Sequence, residues 1–152
     1  MLKPGDQAPE IKLQDDTGEP FQLSKLKGKK VILYFFPRAD TPGCTKEAHE
    51  FRDAMKQFNK KGAVVLGISP DTPAAQSRFK TKYDLPFTLL CDVDKKAAVA
   101  YDVLKEKNMY GKKVMGIART TFLIDQDSRI EKIFSNVKPE GHAAEVLSVL
   151  KE

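Results

Sequence analysis

Val31-Ile32-Leu33-Tyr34-Phe35-Phe36-Pro37-Arg38-Ala39-Asp40-Thr41-Pro42-Gly43-Cys44 is the stretch on which the fold turns. Its first six residues are an unbroken apolar run rich in β-branched and aromatic side chains. Such a run predicts a strand buried on both faces, and Pro37 stops it. After a short connection the pattern becomes helical. Cys44, Ala48, Phe51, Met55 and Phe58 recur at steps of 4, 3, 4 and 3, which predicts a helix from Pro42 to about Asn59 that Gly62 ends. Thr41 suits the N-cap and Pro42 the first helical position.

The same alternation continues on both sides. Ile11 and Leu13, the turn Asp15-Asp16-Thr17-Gly18, then Phe21 and Leu23 predict an N-terminal hairpin. Ala63 to Ile68 reads as a second buried strand, and Ser69-Pro70-Asp71-Thr72-Pro73 opens a helix reaching Tyr83. A short strand from Phe87 to Cys91 and a short helix from Lys95 to Tyr101 follow. The polar, Gly- and Lys-rich stretch from Asp102 to Gly116 reads as a loop. Strands at Thr120–Ile124 and Ile130–Ser135 flank the turn Gln126-Asp127-Ser128, and Pro139 to Lys151 reads as a terminal helix with Ala143, Val146, Leu147 and Leu150 inward. Strands alternating with helices predict an α/β fold with a central mixed β-sheet flanked by helices.

The 152 residues suit one domain, 1–152, around one hydrophobic core. Hydrophobic residues at 41% against charged residues at 31% exclude a disordered chain. The net charge of +5 is spread among acidic residues, and no basic face interleaved with aromatics points to nucleic acid. No apolar run approaches the roughly 18 residues of a membrane span, and Met1 to Asp6 carries no signal-peptide stretch. Two cysteines, Cys44 and Cys91, are too few for a disulfide scaffold, so the expected address is a reducing cytoplasm.

Cys44 falls in the first turn of its helix, where backbone N–H groups lack intrahelical partners and the helix dipole is positive. Both effects favour the thiolate, which is the nucleophilic form. Beginning the apolar stripe, Cys44 is expected at the bottom of a shallow pocket. A small buried hydrophobe is the alternative that position alone leaves open.

Pro37-Arg38-Ala39-Asp40-Thr41-Pro42-Gly43-Cys44 resembles the peroxiredoxin pattern Pro-x-x-x-Thr/Ser-x-x-Cys. Thr41 to Ala48 followed by Phe51-Arg52-Asp53 is similar to its bacterioferritin-comigratory-protein, or peroxiredoxin Q, branch. Gly5-Asp6-Gln7-Ala8-Pro9, Gly67-Ile68-Ser69, Leu85 to Asp92 and Arg119-Thr120-Thr121-Phe122-Leu123-Ile124-Asp125 extend the likeness over nearly the whole chain. The resemblance implies a thioredoxin-like fold and a thiol-dependent peroxidase that reduces hydrogen peroxide and organic hydroperoxides without a cofactor or metal. It makes Cys44 the peroxidatic cysteine, whose thiolate becomes a sulfenic acid. Thr41 would hold the peroxide, Arg119 would stabilise thiolate and leaving oxygen, and the Gly43 and Cys44 amides would bind the attacked oxygen. Pro37 would shape and dry the pocket, and Glu47 would hold Arg119.

The chain departs from that branch in its second cysteine. Many members carry a resolving cysteine five residues after the first, where this chain has His49. Others place it on the following helix, and no cysteine occurs between Phe79 and Tyr83 or anywhere after Cys91. The expectation is therefore a one-cysteine cycle completed by an external thiol such as thioredoxin or glutaredoxin. Cys91 reads as a buried structural thiol, with a resolving role as the alternative, and His49 as a residue of the helix edge. A peroxide sensor without turnover is the rival reading. Other cysteine chemistries fail on spacing: a Cys-x-x-Cys pair would need a cysteine at Glu47, and a Cys-x5-Arg phosphatase an arginine at Glu50.

Overall fold

The computed structural model describes residues 1–150. Its elements run β1 (Lys12–Asp15), β2 (Pro20–Gln22), a 3-10 turn (Leu23–Leu26), β3 (Lys30–Phe35), α1 (Pro42–Asp53), α2 (Met55–Lys60), β4 (Ala63–Ser69) and α3 (Pro73–Tyr83). Then come β5 (Thr88–Cys91), α4 (Lys96–Ala100), β6 (Leu104–Met109), β7 (Lys112–Ile117), β8 (Thr120–Ile124), β9 (Ile130–Phe134) and α5 (His142–Val149). A seven-stranded sheet has the order β2-β1-β5-β4-β3-β8-β9. β3 lies inside it, parallel to β4 through pairs such as Ile32 with Val65, and antiparallel to β8 through Leu33 with Phe122.

Because successive side chains of a strand point to opposite faces, β3 feeds two cores. Ile32, Tyr34 and Phe36 face the helices α1, α2, α3 and α5, while Val31, Leu33 and Phe35 face α4 and the N-terminal segment. Tyr34 stacks on Phe51 of α1 at a centroid distance of 4.6 Å, and Phe51 leans on Phe58 at 5.8 Å. These rings fix the height and rotation of α1 on the sheet.

The structure corrects the expected elements in three places. The stretch read as a loop from Asp102 to Gly116 is mostly the hairpin β6–β7, a separate two-stranded sheet turning at Tyr110-Gly111, both with positive φ. Most of its side chains are solvated, so it carries none of the apolar alternation that marks a half-buried strand. The helix expected to Asn59 breaks at Ala54, whose N–H is shared between the Glu50 and Phe51 carbonyls at 3.1 and 3.2 Å. α2 restarts beyond that tightened turn and keeps Phe58 against Phe51. The terminal helix begins at His142, because Gly141 adopts φ 82, outside the helical region; Lys151 lies outside the described residues.

The connection leading into α1 is tied down along its length. Ala39 N–H donates to Asp71 Oδ2 at 2.7 Å, and the Ser69 hydroxyl donates to the same oxygen at 2.6 Å. Asp40, at φ 59, accepts from the Tyr83 hydroxyl at 2.6 Å and from Lys82 Nζ at 2.9 Å. The start of α1 is thereby held between the end of β4 and the end of α3. Phe51→Ala is expected to lower unfolding stability by about 3–5 kcal/mol while leaving the fold recognisable, as read by denaturant titration and circular dichroism.

Candidate active site

Cys44 is the third residue of α1, which starts from Thr41 in extended conformation followed by Pro42. The first rung of the helix joins Thr45 N–H to the Thr41 carbonyl at 2.8 Å. The N–H groups of Gly43 and Cys44 stand ahead of it with no partner among the described residues. Thr41 occupies the N-cap position without capping through its side chain, a correction to the expected cap. Its hydroxyl instead donates to the Arg38 carbonyl at 2.9 Å, so its lone pairs point elsewhere as acceptors.

Arg119 enters from the connection between β7 and β8, where Val137 N–H bonds its carbonyl at 3.0 Å. Its guanidinium spans two side chains of α1. One terminal nitrogen donates to Glu47 Oε1 at 2.7 Å and the other to Cys44 Sγ at 3.3 Å. Cys44 and Glu47 are each 1% exposed, and the Arg119 side chain is 16% exposed. Gly43 makes this approach open. A Cβ there would lie 3.3 Å from the guanidinium nitrogen that faces the sulfur and 3.4 Å from Pro139 Cγ.

The charges of the cluster act on one another. Burial works against the Arg119 charge, but Glu47 and Cys44 outweigh it and hold the guanidinium more firmly protonated than usual. Burial, opposed by Arg119, pushes the Glu47 carboxyl up to about 7. Glu47 Oε2 has no partner among the described residues, so a proton there leaves Oε1 free to accept from Arg119. Tyr34 lies in the same cluster, and burial, then the charges of Glu47 and Cys44, keep its phenol neutral.

The sulfur itself is buried. A depression of about 520 Å³, lined by Pro42, Gly43, Lys46, Lys138, Pro139 and Glu140, adjoins it at Gly43. Pro37 is half-buried between Phe36 and the anchored connection. Cys91 is not part of the cluster. It pairs with Ser69 of β4 on one side and Gln14 of β1 on the other, so β4 separates it from β3. Its thiol meets the Asp15 carbonyl at 3.5 Å, and burial, then Asp16, Asp15 and Asp71, push it up to about 12. His49 is half-buried, with its ring edge-on to Tyr83 at 4.9 Å. The tethers Asp40–Tyr83 and Ala39–Asp71 escaped the sequence reading, since contacts at such separations leave no periodic trace.

The AhpC/TSA family model matches residues 4–133. The chain belongs to the AhpC/TSA family. A putative peroxiredoxin bcp of Coxiella burnetii is 53% identical over 98% of this chain and 99% of its own length. Peroxiredoxin Bcp of Bacillus subtilis is 47% identical over 97% and 94%. A solved peroxiredoxin Q variant from Xylella fastidiosa superposes with a TM-score of 0.92 at 36% identity, covering 97% of this chain and 94% of that one. The sheet and helices described above are thus the thioredoxin-like fold of these AhpC/TSA proteins. Peroxiredoxins are thiol-dependent peroxidases, and the chain is an oxidoreductase of that class. Among the described residues no helix is long and apolar enough to cross a membrane.

Glu47 gives this AhpC/TSA site a measurable pH signature. The folded chain keeps its proton up to about pH 7, whereas an unfolded glutamate releases it near 4.5. Its contribution to stability is therefore complete below the lower value and declines as pH rises through the higher one. Glu47→Gln should remove that decline, so its unfolding midpoint falls less than that of the native sequence between about pH 5 and about pH 8.

Proposed function

We propose that Cys44 is the nucleophile of a peroxidase acting on hydrogen peroxide and organic hydroperoxides, and that one external thiol system completes its cycle. The observation that carries this reading is the Arg119 guanidinium 3.3 Å from the Cys44 sulfur, at a helix start where two amides have no partner among the described residues. A permanently charged donor in that place favours the thiolate over the thiol.

The peroxide lies with its hydroxyl-bearing oxygen against Cys44. Its O–H donates to Thr41 Oγ1, whose own proton is engaged with the Arg38 carbonyl. The Gly43 and Cys44 N–H groups and Arg119 receive the charge that spreads over the two oxygens. Sulfur supplies the electron pair: the S–O bond forms, the O–O bond breaks, and the leaving alkoxide or hydroxide takes a proton from water. Cys44 becomes a sulfenic acid, and the product is an alcohol or water. Pro37 and Pro42 wall the approach and limit water. Glu47 keeps Arg119 facing the sulfur rather than solvent.

A thiol then attacks the sulfenic sulfur, expelling water and forming a mixed disulfide, and a second thiol releases Cys44. His49 stands where an intrahelical partner would be needed, and Cys91 lies across β4 with a thiol that resists ionisation. An external reductant such as thioredoxin or glutaredoxin fits that arrangement. A cytoplasmic setting, where such thiols are kept reduced, fits it as well.

Cys44→Ser should abolish peroxide consumption, and Cys91→Ser should keep most of it in the presence of an added thiol. Intact mass after one equivalent of peroxide should show a gain of one oxygen. Consumption persisting without Cys44 would overturn the reading. A loss of two hydrogens that disappears in Cys91→Ser would overturn the one-cysteine cycle.

A further inference from the structure

The mechanism leaves one buried-stem cation unused. Lys107 lies on β6, in the β6–β7 hairpin. Its aliphatic stem runs over Gly116 of β7, where a Cβ would stand 3.0 Å from its Cδ and 3.4 Å from its Cε. Its ammonium donates to the Ile117 carbonyl, two residues before Arg119. The other lysines of β6 and β7 with an acidic partner are accounted for: Lys105 pairs with Asp102 at 3.1 Å and Lys113 with Glu106 at 3.6 Å. Among the described residues no carboxylate takes Lys107.

We propose that Lys107 is a positioning residue of this site, a cation that pins the Ile117–Arg119 segment and so sets where the Arg119 guanidinium stands against Cys44. The inference rests on the reading of Cys44 as nucleophile.

Two independent features support it. The backbone that presents Arg119 is held at several points, by Ala118 N–H on the Val103 carbonyl at 2.8 Å and by Val137 N–H on the Arg119 carbonyl at 3.0 Å. Lys107 adds the hold at Ile117, so its side chain bears on where the guanidinium stands. The electrostatics agree. Burial, then the repulsion of Arg119, hold the Lys107 ammonium below the ordinary lysine range, and the opposing pull comes from Cys44. A half-buried lysine repelled by an arginine, with no carboxylate partner among the described residues, is unfavourable, and its bond to the Ile117 carbonyl is what holds it there.

Lys107→Met keeps the stem over Gly116 and removes the charge. With Cys91 replaced by serine, the thiolate absorbance of Cys44 is titrated in the native and Lys107→Met proteins. The midpoint is expected to move to higher pH by roughly half to one unit, with Lys107→Arg returning most of the shift. Gly116→Ala, which displaces the stem, should shift the midpoint in the same direction and add nothing in the Lys107→Met background. Coincident titrations of the native and Lys107→Met proteins overturn the inference, as does an equal shift in Lys107→Arg. Failure of the native protein to consume peroxide would strike the peroxidase reading instead, and the titration would still report on Lys107.

Discussion

A guanidinium held between a carboxylate and a sulfur organises the site. Arg119 reaches Glu47 at 2.7 Å and Cys44 at 3.3 Å, and both partners sit on one helix face a turn apart. A buried polar cluster of this kind is favourable only when its donors and acceptors are well placed, because the low local dielectric makes any unpaired member costly. The rest of the fold can be understood as the means of keeping them there. β3 and β8 are adjacent strands, so the end of one leads into α1 and Arg119 immediately precedes the start of the other. The Tyr34–Phe51 stack then fixes how α1 is turned above them.

Several devices guard the same geometry from outside. Asp40 and Asp71 hold the connection before the helix, and the absent Cβ of Gly43 lets the guanidinium approach the sulfur. Glu47 is the costly member. Its second oxygen is buried without a partner among the described residues, and its carboxyl is pushed up to about 7. Stability is given up there for a fixed arginine, which is the kind of local conflict expected at a functional site.

β3 and the start of α1 are legible in the sequence because an apolar run, a proline and a four-three repeat each have one physical meaning. The pairing of Cys44 with Arg119, 75 residues apart, has no such trace, and only the likeness to peroxiredoxins suggested it. The hairpin β6–β7 was illegible for a different reason. It projects Tyr110 and Met115 into solvent and buries little, so its residues look like a loop's. Lys107 was hidden with it, because its meaning depends on a missing Cβ at Gly116 and a carbonyl at Ile117. The break at Ala54 is invisible because the four-three repeat runs straight through it from Phe51 to Met55 and Phe58.

The central claim is that the guanidinium of Arg119 makes the Cys44 sulfur anionic and reactive. The most direct measurement is the rate of Cys44 alkylation by iodoacetamide against pH, in Cys91→Ser and in Cys91→Ser with Arg119→Met. The account predicts that the rate profile of the second protein moves to higher pH, with alkylation near neutrality slowed by on the order of tenfold or more. Superimposable profiles would contradict it.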